Sequence, residues 1–143
     1  MVIELYSDGA CKGNPGVGAY GIILRQGAHE KEFSGGEPHT TNNRMELMGV
    51  IEGLKKIKKK STVHVYVDSE YVRKGITEWI HTWIKNNWEN SAKKPVANQD
   101  LWQQLLDLTT NHSIQWFWVK GHSGHPENER CDEIANAYIR ENF

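Results

Sequence analysis

Two aspartates follow the same short pattern at widely separated points in the sequence. The segments Tyr6-Ser7-Asp8-Gly9 and Tyr66-Val67-Asp68-Ser69 each close an apolar, strand-like run. Because alternate residues of a strand share a face, the Tyr and the Asp of each segment lie on the same side of the sheet. If the two strands are parallel neighbours, both carboxylates lie at the carboxyl edge, where ligands bind in open α/β sheets. One such aspartate alone is typical of a structural cap, but the matched pair favours a ligand site.

Paired carboxylates at one sheet edge predict a divalent cation. Two bare carboxylates a few ångströms apart repel each other, which raises one pKa, and a cation between them removes that cost. Mg²⁺ and Mn²⁺ prefer oxygen ligands of this kind. Two further acids can reach the same edge. Glu46 lies near the start of a predicted helix, beside its apolar stripe, and Asp132 borders the apolar stripe of the last helix.

Hydrophobic periodicity and turn signals predict the elements that carry these residues. Strands are expected over residues 2–6, 17–24, 30–33, 62–67 and 114–119, and helices over 41–58, 69–85, 99–109 and from Pro126 onward. Residues 7–16 and 86–98 are predicted to be irregular, and Gln26-Gly27 to be a hairpin turn. The order predicts an α/β fold with a five-stranded mixed sheet. Its first three strands form an antiparallel meander, strands four and five run parallel to the first, and helices cover both faces.

Length and composition indicate one domain over residues 1–143 and exclude little else. The net charge of −1 is uninformative about nucleic acid. The two cysteines, Cys11 and Cys131, cannot staple a fold of this size. Neither a secretion signal nor a membrane-spanning run is recognisable, so a cytoplasmic location is expected. Gly49 and Gly53 follow Glu46 at helical spacing, and we expect this glycine face to pack very close to the sheet.

Three ordered motifs connect the chain to a known family. They are SDGACKGNPG at residues 7–16, TTNNRMEL at 40–47 and WVKGHSGHPENERCD at 118–132. Through them the chain resembles the bacterial type 1 ribonucleases H over nearly its whole length. The resemblance implies the RNase H-like fold and a monomeric endonuclease that cuts the RNA strand of RNA–DNA hybrids. It also implies two Mg²⁺ ions, for which Mn²⁺ can substitute, 5′-phosphate and 3′-hydroxyl products, and four metal-binding carboxylates, which fall on Asp8, Glu46, Asp68 and Asp132.

The resemblance also implies further site residues. His122 corresponds to a mobile catalytic histidine, although by itself it reads as a solvated loop residue. The residues implied to read the 2′-hydroxyls of the RNA strand are Cys11, Asn14, Asn43 and Glu70. Glu70 departs from the glutamine usual there, and a carboxylate accepts but cannot donate a hydrogen bond. The residues implied on the DNA side are Trp79 and Trp83, which would stack on sugars and bases, and Thr41 and Asn98, which would hold a phosphate. The basic protrusion of the family has few cations here, so a shallow salt dependence of binding is expected.

Other functions are open on the residues alone. Residues 16–21 read G-x-G-x-x-G, but a strand-like run follows instead of the helix that a dinucleotide site requires. A zinc site from His122, His125, Cys131 and Cys11 matches no common ligand spacing. A non-catalytic hybrid-binding module, or another nuclease of the same broad fold such as a resolvase or transposase core, remains an alternative. The four acids argue against the first of these two alternatives, and the Lys120-Gly121-His122 segment argues against the second.

Overall fold

A single mixed sheet organises the chain in a computed structural model that describes residues 2–120 and 125–143. The strands are β1 (Val2–Gly13), β2 (Gly16–Gln26), β3 (His29–Thr40), β4 (Thr62–Val67) and β5 (Ser113–Trp118). They lie in the order β3-β2-β1-β4-β5. β1 pairs antiparallel with β2 and β2 with β3, whereas β1 pairs parallel with β4 and β4 with β5. The predicted fold class is therefore confirmed.

The first hairpin is much longer than predicted. Residues 7–16 were expected to be irregular, but the ladder between β1 and β2 continues from Glu4 opposite Arg25 to Gly13 opposite Gly16. The glycines in this region are needed for close approach more than for turning. A Cβ at Gly21, for example, would lie 2.2 Å from the carbonyl oxygen of Cys131 on the helix above. The prediction was wrong here because glycine and proline are typical of loops, whereas pairing with β2 keeps residues 7–13 extended.

The helices are α1 (Asn42–Lys55), α2 (Glu70–Lys74), α3 (Ile80–Lys85), α4 (Gln99–Asn111) and α5 (Pro126–Asn142). A π-helical turn, Gly75–Trp79, separates α2 from α3, so the predicted continuous helix over 69–85 is interrupted. A Cβ at Gly75 would lie 2.0 Å from Cη2 of Trp102, which shows how closely this irregular segment lies on α4. Thr41 caps α1, since its Oγ1 accepts a hydrogen bond from the Arg44 amide at 3.2 Å.

The two faces of the sheet are covered unequally. The main core lies between the sheet and α1 with α4, where the predicted α1 stripe is fully buried: Leu47, Ile51 and Leu54. α5 packs on the other face, over β1, β2 and β3. A Cβ at Gly53 would lie 2.7 Å from Cδ1 of Leu5, and one at Gly49 would lie 3.3 Å from Cβ of Ser7. The glycine face of α1 is therefore as close to β1 as expected. Across residues 2–120 and 125–143, no helix combines the length and apolar character that crossing a bilayer requires.

Candidate metal centre

Three acidic side chains from three different elements meet at the carboxyl edge of the sheet. Asp8 lies on β1, Asp68 directly follows β4, and Glu46 lies in the first turns of α1. Each offers one carboxylate oxygen, and these oxygens lie within 4.8 Å of one another. Asp8 is 6% exposed and Glu46 is 8% exposed, while Asp68 is partly buried. The structure thus brings together three of the four acids expected at one site.

Strand register places the two aspartates. Tyr6 is the parallel partner of Tyr66, so each Asp lies two residues beyond a paired Tyr on the same face. The two tyrosine rings stack with centroids 4.7 Å apart and planes 12° apart. The repeated Tyr-x-Asp pattern therefore encodes both the register and the juxtaposition of the carboxylates.

Gly9 places the third carboxylate. A Cβ at this position would lie 2.7 Å from the backbone nitrogen of Glu46, so only glycine allows the start of α1 to touch β1 here. The Gly9 amide donates a hydrogen bond to Oε1 of Glu46. The glycine that looked like a turn residue in the sequence is thus part of the support for the acidic group.

The electrostatics of the group favour a cation. Burial raises the pKa of Glu46 well above its usual value, and the charges of Asp8 and Asp68 raise it further, while the Gly9 amide opposes them. Without a counterion, these carboxylates repel one another, and Glu46 is biased toward its protonated form. A hard divalent cation with oxygen ligands fits this donor set, since it replaces the proton and cancels the repulsion.

Asp132 lies on the wall of the same site. Together with Asp8, Glu46 and Asp68 it lines a depression of about 360 Å³, which we call the acidic depression. The Nδ2 group of Asn136 donates to Oδ1 of Asp132 at 3.2 Å. Among the described residues, the group within 4.8 Å contains the other three acids and not Asp132. His122, the remaining predicted catalytic residue, falls outside the residues that the structure describes.

Two of the four residues predicted on the RNA side lie at the acidic depression. Asn43 and Glu70 line it directly. The Asn14 Oδ1 atom accepts a hydrogen bond from the Asn42 amide at 3.0 Å, which ties the β1–β2 turn to the start of α1. The thiol of Cys11 points at backbone carbonyls and donates to the carbonyl oxygen of Gly13 at 2.8 Å.

The two residues predicted to hold a DNA phosphate are linked by a residue that the sequence reading missed. Arg44 donates from its amide to Thr41 Oγ1 and from Nη1 to Asn98 Oδ1 at 3.1 Å. Its guanidinium also pairs with Asp100 at 2.9 Å, and that pairing lowers the pKa of Asp100. Tyr71 was missed as well; its hydroxyl accepts from Asn98 Nδ2 at 2.9 Å and the residue lines the acidic depression. The TTNNRMEL motif contains Arg44, whereas nothing in the sequence singled out Tyr71.

The tryptophans predicted on the DNA side differ in exposure. Trp79 is 37% exposed, while Trp83 packs against the main core. The Trp83 ring centroid lies 5.9 Å from that of Trp79, 6.1 Å from that of Trp88 and 5.3 Å from that of Trp102. Trp79 is thus exposed enough to stack on a ligand, and the ring of Trp83 packs beside it on the core side.

The zinc alternative finds no support among the described residues. Cys131 is fully buried, and burial is the main cause of a pKa raised far above that of an ordinary thiol. Such a thiol resists forming the thiolate that zinc requires. Within residues 2–120 and 125–143, the group able to hold a metal is the three-carboxylate group.

Comparisons with known proteins agree with this geometry. The family model described as RNase H matches residues 1–140. A ribonuclease HI from Neisseria meningitidis serogroup A is 57% identical over 136 residues, covering 95% of this chain and 94% of that protein. A ribonuclease H from Marinobacter nauticus is 58% identical over 139 residues, covering 97% of this chain and 95% of that protein.

Solved structures show the same architecture. LC9-RNase H1, described as a type 1 RNase H with the type 2 active-site motif, superposes with a TM-score of 0.86 at 30% identity; 99% of this chain and 74% of that one are covered. LC11-RNase H1, solved in complex with an RNA/DNA hybrid, superposes with a TM-score of 0.70 at 19% identity and 97% coverage of both chains. At that identity the second likeness concerns the fold alone.

Proposed function

The chain belongs to the RNase H family of endoribonucleases, and we propose that it hydrolyses the RNA strand of RNA–DNA hybrids with two Mg²⁺ ions, leaving 5′-phosphate and 3′-hydroxyl ends. The observation that carries this proposal is the meeting of Asp8, Glu46 and Asp68 within 4.8 Å at the sheet edge. In the proposal Asp132, on the wall of the same depression, completes the ligand set. One domain over residues 1–143 then holds the whole site.

Bound Mg²⁺, or Mn²⁺ in its place, supplies Lewis acidity for in-line attack of water on a phosphodiester and for departure of the 3′ oxygen. The protein contributes fixed positions. Asp8 and Asp68 are held by two adjacent strands, and the Gly9 amide orients the Glu46 carboxylate. Because these groups are already in place, little reorganisation is needed as charge develops on the phosphate. We assign His122 to proton transfer or product release, on the strength of its motif and the pKa near 6.5 of an ordinary histidine.

Substrate recognition is proposed on both sides of the acidic depression. On the RNA side, Cys11, Asn14, Asn43 and Glu70 contact 2′-hydroxyls. On the DNA side, Trp79 stacks on the strand with Trp83 behind it, and Thr41 with Asn98 holds a phosphate. Arg44, which hydrogen-bonds both Thr41 and Asn98, positions these two residues. We further propose that the enzyme acts as a monomer in the cytoplasm.

The test is incubation with a labelled RNA–DNA hybrid, a duplex RNA and a duplex DNA, first in Mg²⁺ and then in EDTA. We expect cleavage of the RNA in the hybrid alone, abolished by EDTA, with 5′-phosphate ends on the products. Tight hybrid binding without cleavage in Mg²⁺ or Mn²⁺ would instead identify a non-catalytic hybrid-binding module. Cleavage of duplex DNA would point to a nuclease of different specificity.

A further inference from the structure

A second cleft opens beside the acidic depression, on the side toward the edge of the sheet. It measures about 580 Å³ and lies between the ends of β4 and β5 and the start of α2. Asp68, Ser69 and Glu70 line both cavities, so the two form one continuous groove. The residues predicted to contact RNA lie mainly on the β1 and α1 side of the metal centre, whereas this cleft extends the groove in the opposite direction. None of them except Glu70 lines it.

The cleft carries the chemistry of a phosphate site. Arg73 of α2 and Lys120 beyond β5 both line it and bring two positive charges. A guanidinium binds phosphate oxygens in a bidentate manner, and an ammonium acts as a point charge beside it. Trp118 forms part of the wall, and its ring stacks on Trp116 with centroids 5.4 Å apart and planes 5° apart. This stacking holds the Trp118 ring in place as a flat wall of the cleft.

Glu70 holds the guanidinium of Arg73 in an ion pair within one turn of α2. The Oε1 atom of Glu70 lies 3.2 Å from Nη2 of Arg73, and the two side chains are 74% and 43% exposed. An ion pair this exposed is weak. A phosphate that accepts two hydrogen bonds from the guanidinium can therefore displace the carboxylate from Arg73. The freed carboxylate still lies at the border of the groove and repels an incoming phosphate. Glu70 departs from the glutamine that is usual at this position. Glutamine carries no charge, so it would not compete with the phosphate for Arg73.

We propose that the cleft binds a backbone phosphate of the RNA strand through Arg73, assisted by Lys120, and that the Glu70–Arg73 ion pair weakens this contact. The proposal rests on the proposed function, since it places the RNA strand across the metal centre. It gives Glu70 a second effect on affinity beside its predicted contact with a 2′-hydroxyl. Arg73 is thus a binding residue and takes no part in the chemical step.

The experiment measures the affinity of a labelled RNA–DNA hybrid in EDTA, where the hybrid stays intact, over a series of salt concentrations. We expect Arg73→Ala to weaken binding about 5- to 10-fold and to reduce the slope of log K against log salt by about one, the value for one lost phosphate contact. Glu70→Gln should tighten binding about 3-fold in the parent protein and clearly less in the Arg73→Ala protein, because the part of its influence that acts through the ion pair is then lost. Arg73→Lys should restore part of the affinity and all of the slope.

A matched control comes from an ion pair that lines neither cavity. Glu32 of β3 and Arg130 of α5 form a comparable exposed ion pair at 2.9 Å. Glu32→Gln removes one carboxylate partner from Arg130, which keeps Glu133 and does not line the groove, so the change should alter neither affinity nor slope. Hybrids that carry one neutral methylphosphonate at successive positions identify the contact. A single position on the RNA strand should lose affinity in the parent protein and not in Arg73→Ala.

Three results would overturn the inference. One is an unchanged affinity and slope in Arg73→Ala, and another is a Glu70→Gln effect of equal size with and without Arg73. An Arg73 effect that follows a DNA-strand phosphate would also contradict it. Cleavage of the hybrid by the parent protein in Mg²⁺ is scored separately. If cleavage occurs and Arg73 has no effect, the inference fails and the proposed function stands; if cleavage does not occur, the proposed function fails.

Discussion

The acidic depression and the tryptophan cluster, which consists of Trp79, Trp83, Trp88 and Trp102, are built in opposite ways. Regular elements supply the acids of the first: two adjacent parallel strands and the first turns of α1. Trp83 and Trp102 of the second lie on α3 and α4, but its Trp79 and Trp88 lie on irregular backbone. It includes the π-helical turn at Gly75–Trp79 and four non-glycine residues with φ near +60° between positions 87 and 98, which are Asn87, Trp88, Lys93 and Asn98.

The energetics of the two regions are opposed as well. The depression concentrates buried negative charge, which lowers stability until a cation arrives. The cluster buries large rings against one another and against the main core, which raises stability. Function and stability are therefore in conflict in the depression, whereas in the cluster one exposed ring can bind substrate while its neighbours hold the fold.

The largest effect should come from removing one charge in the depression. Asp8→Asn should lower hydrolysis of the hybrid about 10³-fold, because the amide is a poor ligand for the divalent cation. Asp107→Asn makes the same chemical change on an exposed face of α4 and should leave the rate unaltered. A loss of less than tenfold in Asp8→Asn, measured as initial rate in saturating Mg²⁺, would mean that the depression is not the catalytic centre.

In the tryptophan cluster the largest effect should be on stability. Trp83→Ala should lower the free energy of unfolding by about 3 kcal/mol, since it leaves a cavity among three rings. Trp79→Ala should lower it by less than about 1 kcal/mol but weaken hybrid binding about 10-fold through lost stacking. Urea unfolding and hybrid titration on both variants separate the two roles. Equal stability losses in both variants would erase the distinction between the exposed ring and its support.

Glu46 offers a test of the conflict within the depression. The pKa of Glu46 is raised in the folded protein. The stability that the protonated carboxyl allows is therefore fully present below about pH 4.5, and it is lost as the pH rises toward the pKa of Glu46 in the folded state. In EDTA, Glu46→Gln should therefore leave the Tm unchanged at pH 4 and raise it by several degrees at pH 8, where ~1 kcal/mol corresponds to about 3 °C. Mg²⁺ should narrow the difference by stabilising the parent protein. Glu141→Gln, at an exposed position on α5, serves as the control. An equal rise of Tm in that variant would show that the burial of Glu46 is not the cause.

The smallest effects concern how closely α1 lies on β1. Gly53→Ala adds a Cβ 2.7 Å from Leu5 Cδ1, and we expect a net loss of about 1 kcal/mol in spite of the better helix propensity. Gly49→Ala meets Ser7 Cβ at 3.3 Å, so its loss should be smaller. Denaturant unfolding of the two variants decides the matter. A gain in stability from Gly49→Ala would show that α1 is free to move away from the sheet.

The sequence predicts regular elements better than irregular ones, so it predicts more of the acidic depression than of the tryptophan cluster. Alternation along β1 and β4 predicted that Asp8 and Asp68 would meet, because register transfers a local pattern directly into space. Thr41 and Pro126 marked the starts of α1 and α5 by the chemistry of helix ends. These features depend on short stretches of chain, which a sequence displays openly.

The features that were missed depend on contacts with other elements. Residues 7–13 remain in a strand because β2 pairs with them, and Gly75 begins a π-helical turn against Trp102, which is far along the chain. Tyr71 belongs to the site because Asn98 and Trp102 both donate to its hydroxyl. No local signal predicts such contacts, and the glycine content of residues 7–16 indicates a loop where the structure has a strand.

The proposed function depends most on the joint binding of a divalent cation by Asp8, Glu46 and Asp68. Calorimetric titration of Mn²⁺ into the parent protein and into Asp68→Asn, without substrate, measures this directly. We predict saturable binding to the parent protein and at least a tenfold weaker affinity in Asp68→Asn, with the fold intact. Identical isotherms for the two proteins, or no binding to either, would contradict the account.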